Sequence, residues 1–246
     1  MDKMLYTAMN SARQAMQAQT AISHNLSNAN TTGFKSHLNT FTSWHVSGPG
    51  HNTRIMNQQA ADDIDLSKGA MSTTGRELDV AINGEGFIAV ETANGDEAYT
   101  RAGDLRLDAT GRLTTGAGFP VLGNGGPITL PPTEKIEIGL DGSITILPVG
   151  QAAGSLVVAD RIKLVNPDVN SLKKDENGLL FLESGIIENP APEVVLEKGV
   201  LEHSNVNAVG QMIELITNAR QFETSVKLMQ EAKSNDEASA RLLRNS

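Results

Sequence analysis

Residues 5–26 read LYTAMNSARQAMQAQTAISHNL, and the spacing of their small and apolar side chains decides the fold. Leu5, Ala8, Ala12, Ala15, Gln19, Ile22 and Leu26 recur at alternating intervals of three and four, which places them on one narrow stripe of an α-helix. The far end of the chain repeats the pattern. Ala208, Met212, Leu215, Ala219, Phe222, Val226, Met229, Lys233, Asp236, Ala240 and Leu243 keep the same spacing, with Lys233 and Asp236 interrupting the apolar seam. Such helices owe most of their stability to packing the apolar face, so both stripes require partners. The partners are each other within one chain, or like helices of neighbouring copies.

The first helix is predicted from near Asp2 to about Ala29, a length of about 42 Å at 1.5 Å per residue. Ser27-Asn28-Ala29-Asn30-Thr31-Thr32-Gly33 ends it, because these side chains compete for helical hydrogen bonds and Gly33 accepts a positive φ. Residues 36–68 show no sustained period and contain Ser47-Gly48-Pro49-Gly50, which reads as an extended connector ordered by neighbouring subunits. From 78 to 198 short apolar runs alternate with turn signals. Val80–Ile82 and Phe87–Val90 flank Asn83-Gly84-Glu85-Gly86, while Asn94-Gly95, Ala109-Thr110-Gly111 and Asp141-Gly142 mark further hairpins. Gly199-Val200-Leu201 reads as a last strand, and Asn205 or Asn207 as the cap of the C-terminal helix. The expected fold class is α+β: long N- and C-terminal helices packed as a coiled-coil-like pair and joined by an antiparallel β-rich middle domain. The divisions are an N-terminal helix over 1–35, the connector over 36–77, the β domain over 78–198, and a return strand with C-terminal helix over 199–246.

Composition agrees with a folded chain that does little chemistry. Of 246 residues, 39% are hydrophobic, nine are aromatic, 23 are Gly and none is Cys, which removes disulfides, thiolate catalysis and Cys-based zinc sites. The net charge of -9 is uneven: residues 1–40 carry three basic groups and one acid, residues 205–246 five of each, and the middle 12 basic against 23 acidic groups. That balance opposes nucleic-acid binding, which needs a basic footprint. It suits an acidic middle facing solvent with near-neutral ends buried together. No run approaches the roughly 18 apolar residues of a membrane span, and the N-terminus lacks the pattern of a cleaved secretory signal.

Gly84-Glu85-Gly86 and Gly116-Ala117-Gly118 lack the third glycine and following helix of a dinucleotide loop, and read as hairpin turns. Asp63, Asp65 and Ser67 imitate a calcium loop, yet the glycine comes late at Gly69 and Thr74 stands at the twelfth place, so they read as a solvated acidic loop. His24, His37, His45, His51 and His203 include no metal-binding helical pair. No nucleophile elbow or Walker loop occurs, and nothing singles out a glycosidase pair among the carboxylates. Asn25-Leu26-Ser27 and Asn30-Thr31-Thr32 match glycosylation triplets, but lie in or beside a packing helix.

Particular residues carry a resemblance. Asn25-Leu26-Ser27-Asn28-Ala29-Asn30-Thr31-Thr32-Gly33-Phe34-Lys35 resembles the segment that closes the N-terminal helix of bacterial flagellar rod and hook proteins. Gly199-Val200-Leu201-Glu202-His203-Ser204-Asn205-Val206-Asn207 resembles the lead-in to their C-terminal helix. Leu78–Ile82 with Gly86-Phe87, and Tyr99–Gly103, are similar to blocks of their β domain. The opening Asp2–Met9, the length and the single β domain are most similar to proximal rod members, with distal rod members the nearest alternative and hook proteins carrying more in the middle. Ser27 stands where alanine is common, and His203 holds a variable place.

The resemblance implies a structural subunit with no catalytic residue, metal or cofactor, exported uncleaved through the flagellar type III apparatus and built into the periplasm-spanning drive shaft of the basal body. Its implied partners are other proximal and distal rod subunits, itself in a helical assembly, and the export apparatus in transit, with no nucleic acid and no insertion into lipid. Leu5, Ala8, Ala12, Ala15, Ile22, Leu26, Met212, Leu215, Ala219, Phe222, Val226 and Met229 are the expected assembly seam. Asn25, Asn28, Gly33, Phe34, Ser204, Asn205 and Asn207 are the signature positions, and Gln14, Gln17, Ser23, Gln211 and Asn218 are candidates for a channel lining or polar inter-helix contacts. Before assembly the end helices are expected to lack partners and stay disordered, with buried apolar area offsetting the ordering entropy on incorporation. A periplasmic β-domain protein that binds or hydrolyses glycan is the alternative from a different class.

Overall fold

The structure is a computed structural model describing residues 2–45, 55–150, 156–175, 177–183, 185 and 187–244. The expected turn at Ser47-Gly48-Pro49-Gly50 and His51 lie outside these residues. The chain divides into two compact units: a helical one made of Met1–Ala29, His37–Asp65 and Val206–Ser246, and a β unit made of Asn30–Ser36 and Leu66–Asn205.

In the helical unit, α1 (Asp2–Ser27) and α2 (Ala208–Arg244) lie antiparallel. The pairing is fixed by three hydrogen bonds along its length: Asn25 Nδ2 to Gln211 Oε1 at 3.4 Å, Asn218 Nδ2 to the Ala15 carbonyl at 2.7 Å, and Ser225 Oγ to Ser11 Oγ at 3.1 Å. Ala8, Ala12, Ala15, Ile22 and Asn25 are buried on α1, where small side chains let the helices come close, while Leu26 is half-buried. On α2, Leu215, Ala219, Phe222, Val226 and Met229 are half-buried and Ser225 is buried. Gln19 is exposed, and half-buried Ala18 stands on the packed face beside it. Met212 is 51% exposed, and half-buried Gln211 faces α1 in its stead. Polar side chains hold these places because each finds a hydrogen-bond partner on α1, which the apolar period alone cannot show.

Within the stretch expected to be an extended connector, β1 (His37–His45) pairs antiparallel with β2 (Ile55–Ile64), with a register shift between Thr40 and Phe41. The hairpin is anchored at one end. The Asn25 carboxamide mimics a strand neighbour, donating to the His37 carbonyl at 2.9 Å and accepting the His37 N–H at 2.8 Å. The His24 and His37 rings meet edge to face at 5.1 Å between centroids. Further out, Leu38, Phe41, Trp44 and Ile55 are exposed, Trp44 by 62%. With Leu38, Phe41 and Trp44 left exposed, no buried face imposes a strict alternation on β1, which is why the period is absent there.

The β unit is an assembly of short antiparallel strands around one apolar core, whose fully buried members include Val80, Ile82, Ile88, Leu105, Leu113, Val121, Ile128, Ile144 and Ile162. After β3 (Met71–Thr73) and β4 (Val80–Asn83), β5 (Phe87–Glu91) and β6 (Glu97–Thr100) form a hairpin around Asn94-Gly95. That hairpin is extended on one side by Leu164–Val165 and on the other by Leu180–Leu182 and Leu172–Lys174, a five-stranded sheet. Thr133–Ile138 and Ser143–Pro148 pair around Asp141-Gly142 and continue to Val157–Arg161. The expected turn at Gly84-Glu85-Gly86 is a turn but not a hairpin: β4 pairs with Val195–Lys198 while β5 joins the five-stranded sheet. Gly86 has a φ of 119°, and a Cβ there would meet Val194 Cγ2 at 2.7 Å, so packing sends the chain from one sheet to the next. The return strand Val200–Glu202 pairs with β3.

Candidate functional site

Both terminal signatures converge in the β unit on one buried carboxylate. Glu202, on the return strand, is fully buried at its side chain, and Lys35 and Arg101 beside it are 2% and 5% exposed. Lys35 Nζ donates to Glu202 Oε1 at 2.6 Å and to the Ser67 carbonyl at 2.7 Å. Arg101 Nη1 donates to Glu202 Oε2 at 3.2 Å, and its Nη2 to the Gly84 carbonyl at 2.9 Å, with the guanidinium 5.3 Å from the Phe87 ring centroid. The Gly69 N–H completes the set at 3.0 Å from Glu202 Oε1. Burial on its own would raise the Glu202 carboxyl. The Lys35 hydrogen bond, the Gly69 amide and the two cations outweigh it and hold the group below the ordinary carboxylate range.

Backbone and amide bonds fasten the same segments. The Gly33 N–H donates to the Glu202 carbonyl at 2.8 Å and the Asn205 N–H to the Phe34 carbonyl at 3.3 Å. Asn205 Oδ1 accepts the Ser36 N–H at 2.8 Å, and Asn205 Nδ2 reaches the Ser67 carbonyl at 3.3 Å. Gly33 has a φ of 66°, and a Cβ on it would fall 2.2 Å from the Arg101 carbonyl carbon, so glycine is required twice over. Phe34 is buried, and Lys174 Nζ lies 3.4 Å from its ring centroid while donating to the Lys35 carbonyl. Burial pushes the Lys174 ammonium down to about 7, while the aromatic face and the carbonyl favour its charged form.

The signature residues thus divide between the units. Gly33, Phe34 and Asn205 build the clasp around Glu202, with Ser204 half-buried next to it. In the helical unit Asn25 holds β1, Asn28 Nδ2 caps the end of α1 on the His24 carbonyl at 3.0 Å, and Asn207 Oδ1 caps α2 through the Gly210 N–H at 3.2 Å. Of the two expected caps, Asn207 is the one used and Asn205 serves the clasp. Lys35, Arg101 and Glu202 were not singled out in the sequence. The available signal was a lone base in one signature, a lone acid in the other, and an arginine in the Tyr99–Gly103 block. Among the described residues no group of three or more His, Cys, Asp or Glu side chains gathers as a metal site, and the Ser67 carbonyl of the calcium-like loop is taken by Lys35 and Asn205. No described helix is long and apolar enough to cross a membrane.

Paired terminal helices in one unit, and a β unit in which both end signatures lock on one charge cluster, define the class of protein to which the chain belongs. Three family models match it in order: "Flagella basal body rod protein" over residues 5–35, "Flagellar hook protein FlgE/F/G D1 domain" over 81–146, and "Flagellar basal body rod FlgEFG protein C-terminal" over 197–242. The chain is similar to the flagellar basal-body rod protein FlgF of Salmonella typhimurium, with 36% identity over 249 residues covering 99% of both chains. FlgF of Escherichia coli K12 is 37% identical over 96% of both, and the rod protein FlgG of Bacillus subtilis 31% identical over 92% of this chain and 93% of its own. The chain belongs to the flagellar basal-body rod protein family, whose members are structural subunits of the rod.

Proposed function

We propose that the protein is a non-enzymatic proximal rod subunit, exported through the flagellar apparatus and polymerised through its terminal helices into a hollow shaft that transmits torque. The carrying observation is an uncovered apolar stripe on α2: Val209, Met212, Ile213 and Ile216, at one helical face by spacing, are 51% to 67% exposed. Tyr6, Met9 and Met16 are likewise exposed on α1. The small-residue seam closes α1 on α2 as a coiled-coil-like pair, and these outward residues are what neighbouring rod subunits cover. The exposed Phe41 and Trp44 hairpin is a second contact, since a two-stranded pair is marginal alone in water. A groove lined by Leu5, Val226, Met229, Lys233 and Asp236 marks the break in the α2 seam as a seat for a neighbour. Distal rod placement is the second reading, because the chain is also similar, at lower identity, to a rod protein of another name, FlgG.

The test is to replace Met212 and Ile216 together with Asp and examine basal bodies and swimming. The helices should fold as before, because exposed substitutions cost about 0.5 kcal/mol or less, while rods fail to form and motility is lost. Normal rods in that strain overturn the reading. Cross-linking of this stripe to neighbouring FlgF-type or FlgG-type subunits separates proximal from distal placement.

A further inference from the structure

The clasp lies in a layer that the apolar core does not reach. The core cluster runs from Val80 to Leu196 and contains no residue of 30–36, 66–73 or 199–205, where Phe34 and Val200 are the buried apolar side chains. Hydrogen bonds and charge hold those segments instead: Gly33 to Glu202, Lys35 to Glu202 and Ser67, Ser36 to Asn205, Gly69 to Glu202, and the His203 N–H to the Ala70 carbonyl at 2.9 Å. Regions with few buried apolar contacts open at lower free energy than the core of the same domain.

Piecemeal opening is disfavoured, because Glu202 is shared. Withdrawing Lys35 alone, or the return strand alone, leaves a buried charge without its full complement, which is costly unless the whole set reaches water. Arg101 stays with the core, held by the Gly84 carbonyl and the Phe87 ring. We propose that segments 30–36, 66–73 and 199–205 form one latch that opens and closes as a unit around Glu202, separately from the apolar core of the β unit. Lys35 and Glu202 are 167 residues apart, so the latch closes only once the C-terminal lead-in has joined. Order in the N-terminal signature is thereby conditional on the other end of the chain. This holds whether or not the rod reading is right.

Native-state hydrogen exchange of the full-length protein tests it. The amides of Gly33, Ser36, Gly69, His203 and Asn205 should share one opening free energy, lower than that of Ala89, Leu113 and Val121, which are bonded within the core. Asn205→Ala removes side-chain bonds to Ser36 and Ser67 while leaving the Lys35, Arg101 and Glu202 side chains in place. It should accelerate the amides of Gly33, Gly69, His203 and residue 205 by a common factor of about ten, accelerate Ser36, which loses its own acceptor, by at least as much, and leave the core amides unchanged. Acceleration confined to Ser36, or equal acceleration of Ala89, Leu113 and Val121, overturns the latch. Distinct opening free energies for Gly33 and Gly69 in the unaltered protein overturn it as well.

Discussion

Lys174 and Glu202 both make the stability of the β unit rise with pH, in two separate windows. The Lys174 ammonium is pushed from an ordinary 10.5 to about 7 by burial, so between those values the unfolded chain binds a proton that the folded chain does not. Stability from this group therefore rises with pH across that window. Glu202 is depressed below its ordinary 4.5, so its contribution is present above that value and is lost as pH falls through the folded one. Urea unfolding followed from pH 3 to 10, about the range in which carboxylates and a perturbed lysine titrate, should show an acid limb and a slow rise above neutrality. In Lys174→Met the rise should flatten while the acid limb stays; an unchanged upper limb would show that Lys174 is charged throughout. Of these two residues, the sequence revealed only that each carries a charge. Lys174 sits in Leu172-Lys173-Lys174-Asp175, where nothing separates the exposed Lys173 from the half-buried Lys174. The separation comes from Phe34, 140 positions away in the chain and chosen by the fold.

At the scale of elements, the two long helices were readable because their demand is local and periodic: an apolar or small side chain every third and fourth place leaves one reading. The ends were readable for the same reason, since Ser27-Asn28 and Asn207 cap by bonds within one turn. What escaped was the exact face of α2, because Gln211, Asn218 and Ser225 enter the contact through hydrogen bonds that no hydropathy pattern records. The hairpin of β1 and β2 escaped because its strands carry apolar and polar groups on both faces and draw their order from elsewhere. Asn25 is the first source of that order within the chain. Asn25→Ala deletes both bonds to the His37 backbone in a buried place, and should cost about 1–3 kcal/mol of local stability. The expected result is fast exchange of the His37 amide and loss of β1 pairing signals, with α1 retained to Ser27. Full retention of hairpin signals in that variant would place the anchor elsewhere.

For the whole molecule, charge and apolar surface make separable demands on assembly. Each copy carries a net charge of -9, with the acid excess in the middle of the chain and near-neutral helical ends. Bringing copies together therefore adds like charge on like charge, and in the proposed assembly the force that offsets it is the covering of Val209, Met212, Ile213, Ile216 and their counterparts on α1. These two contributions respond differently to salt. Screening at a Debye length of about 8 Å near physiological ionic strength weakens the repulsion, against about 30 Å at 0.01 M, while apolar burial is hardly touched. Self-association of the purified chain, followed by sedimentation, should strengthen as salt is raised over that range. Association built on complementary charges would weaken instead, and that outcome would move the contact from the apolar stripe to the ion pairs of the β unit. In Met212→Asp the salt response should persist at a weaker overall affinity, because the substitution removes apolar cover and adds one more charge to be screened.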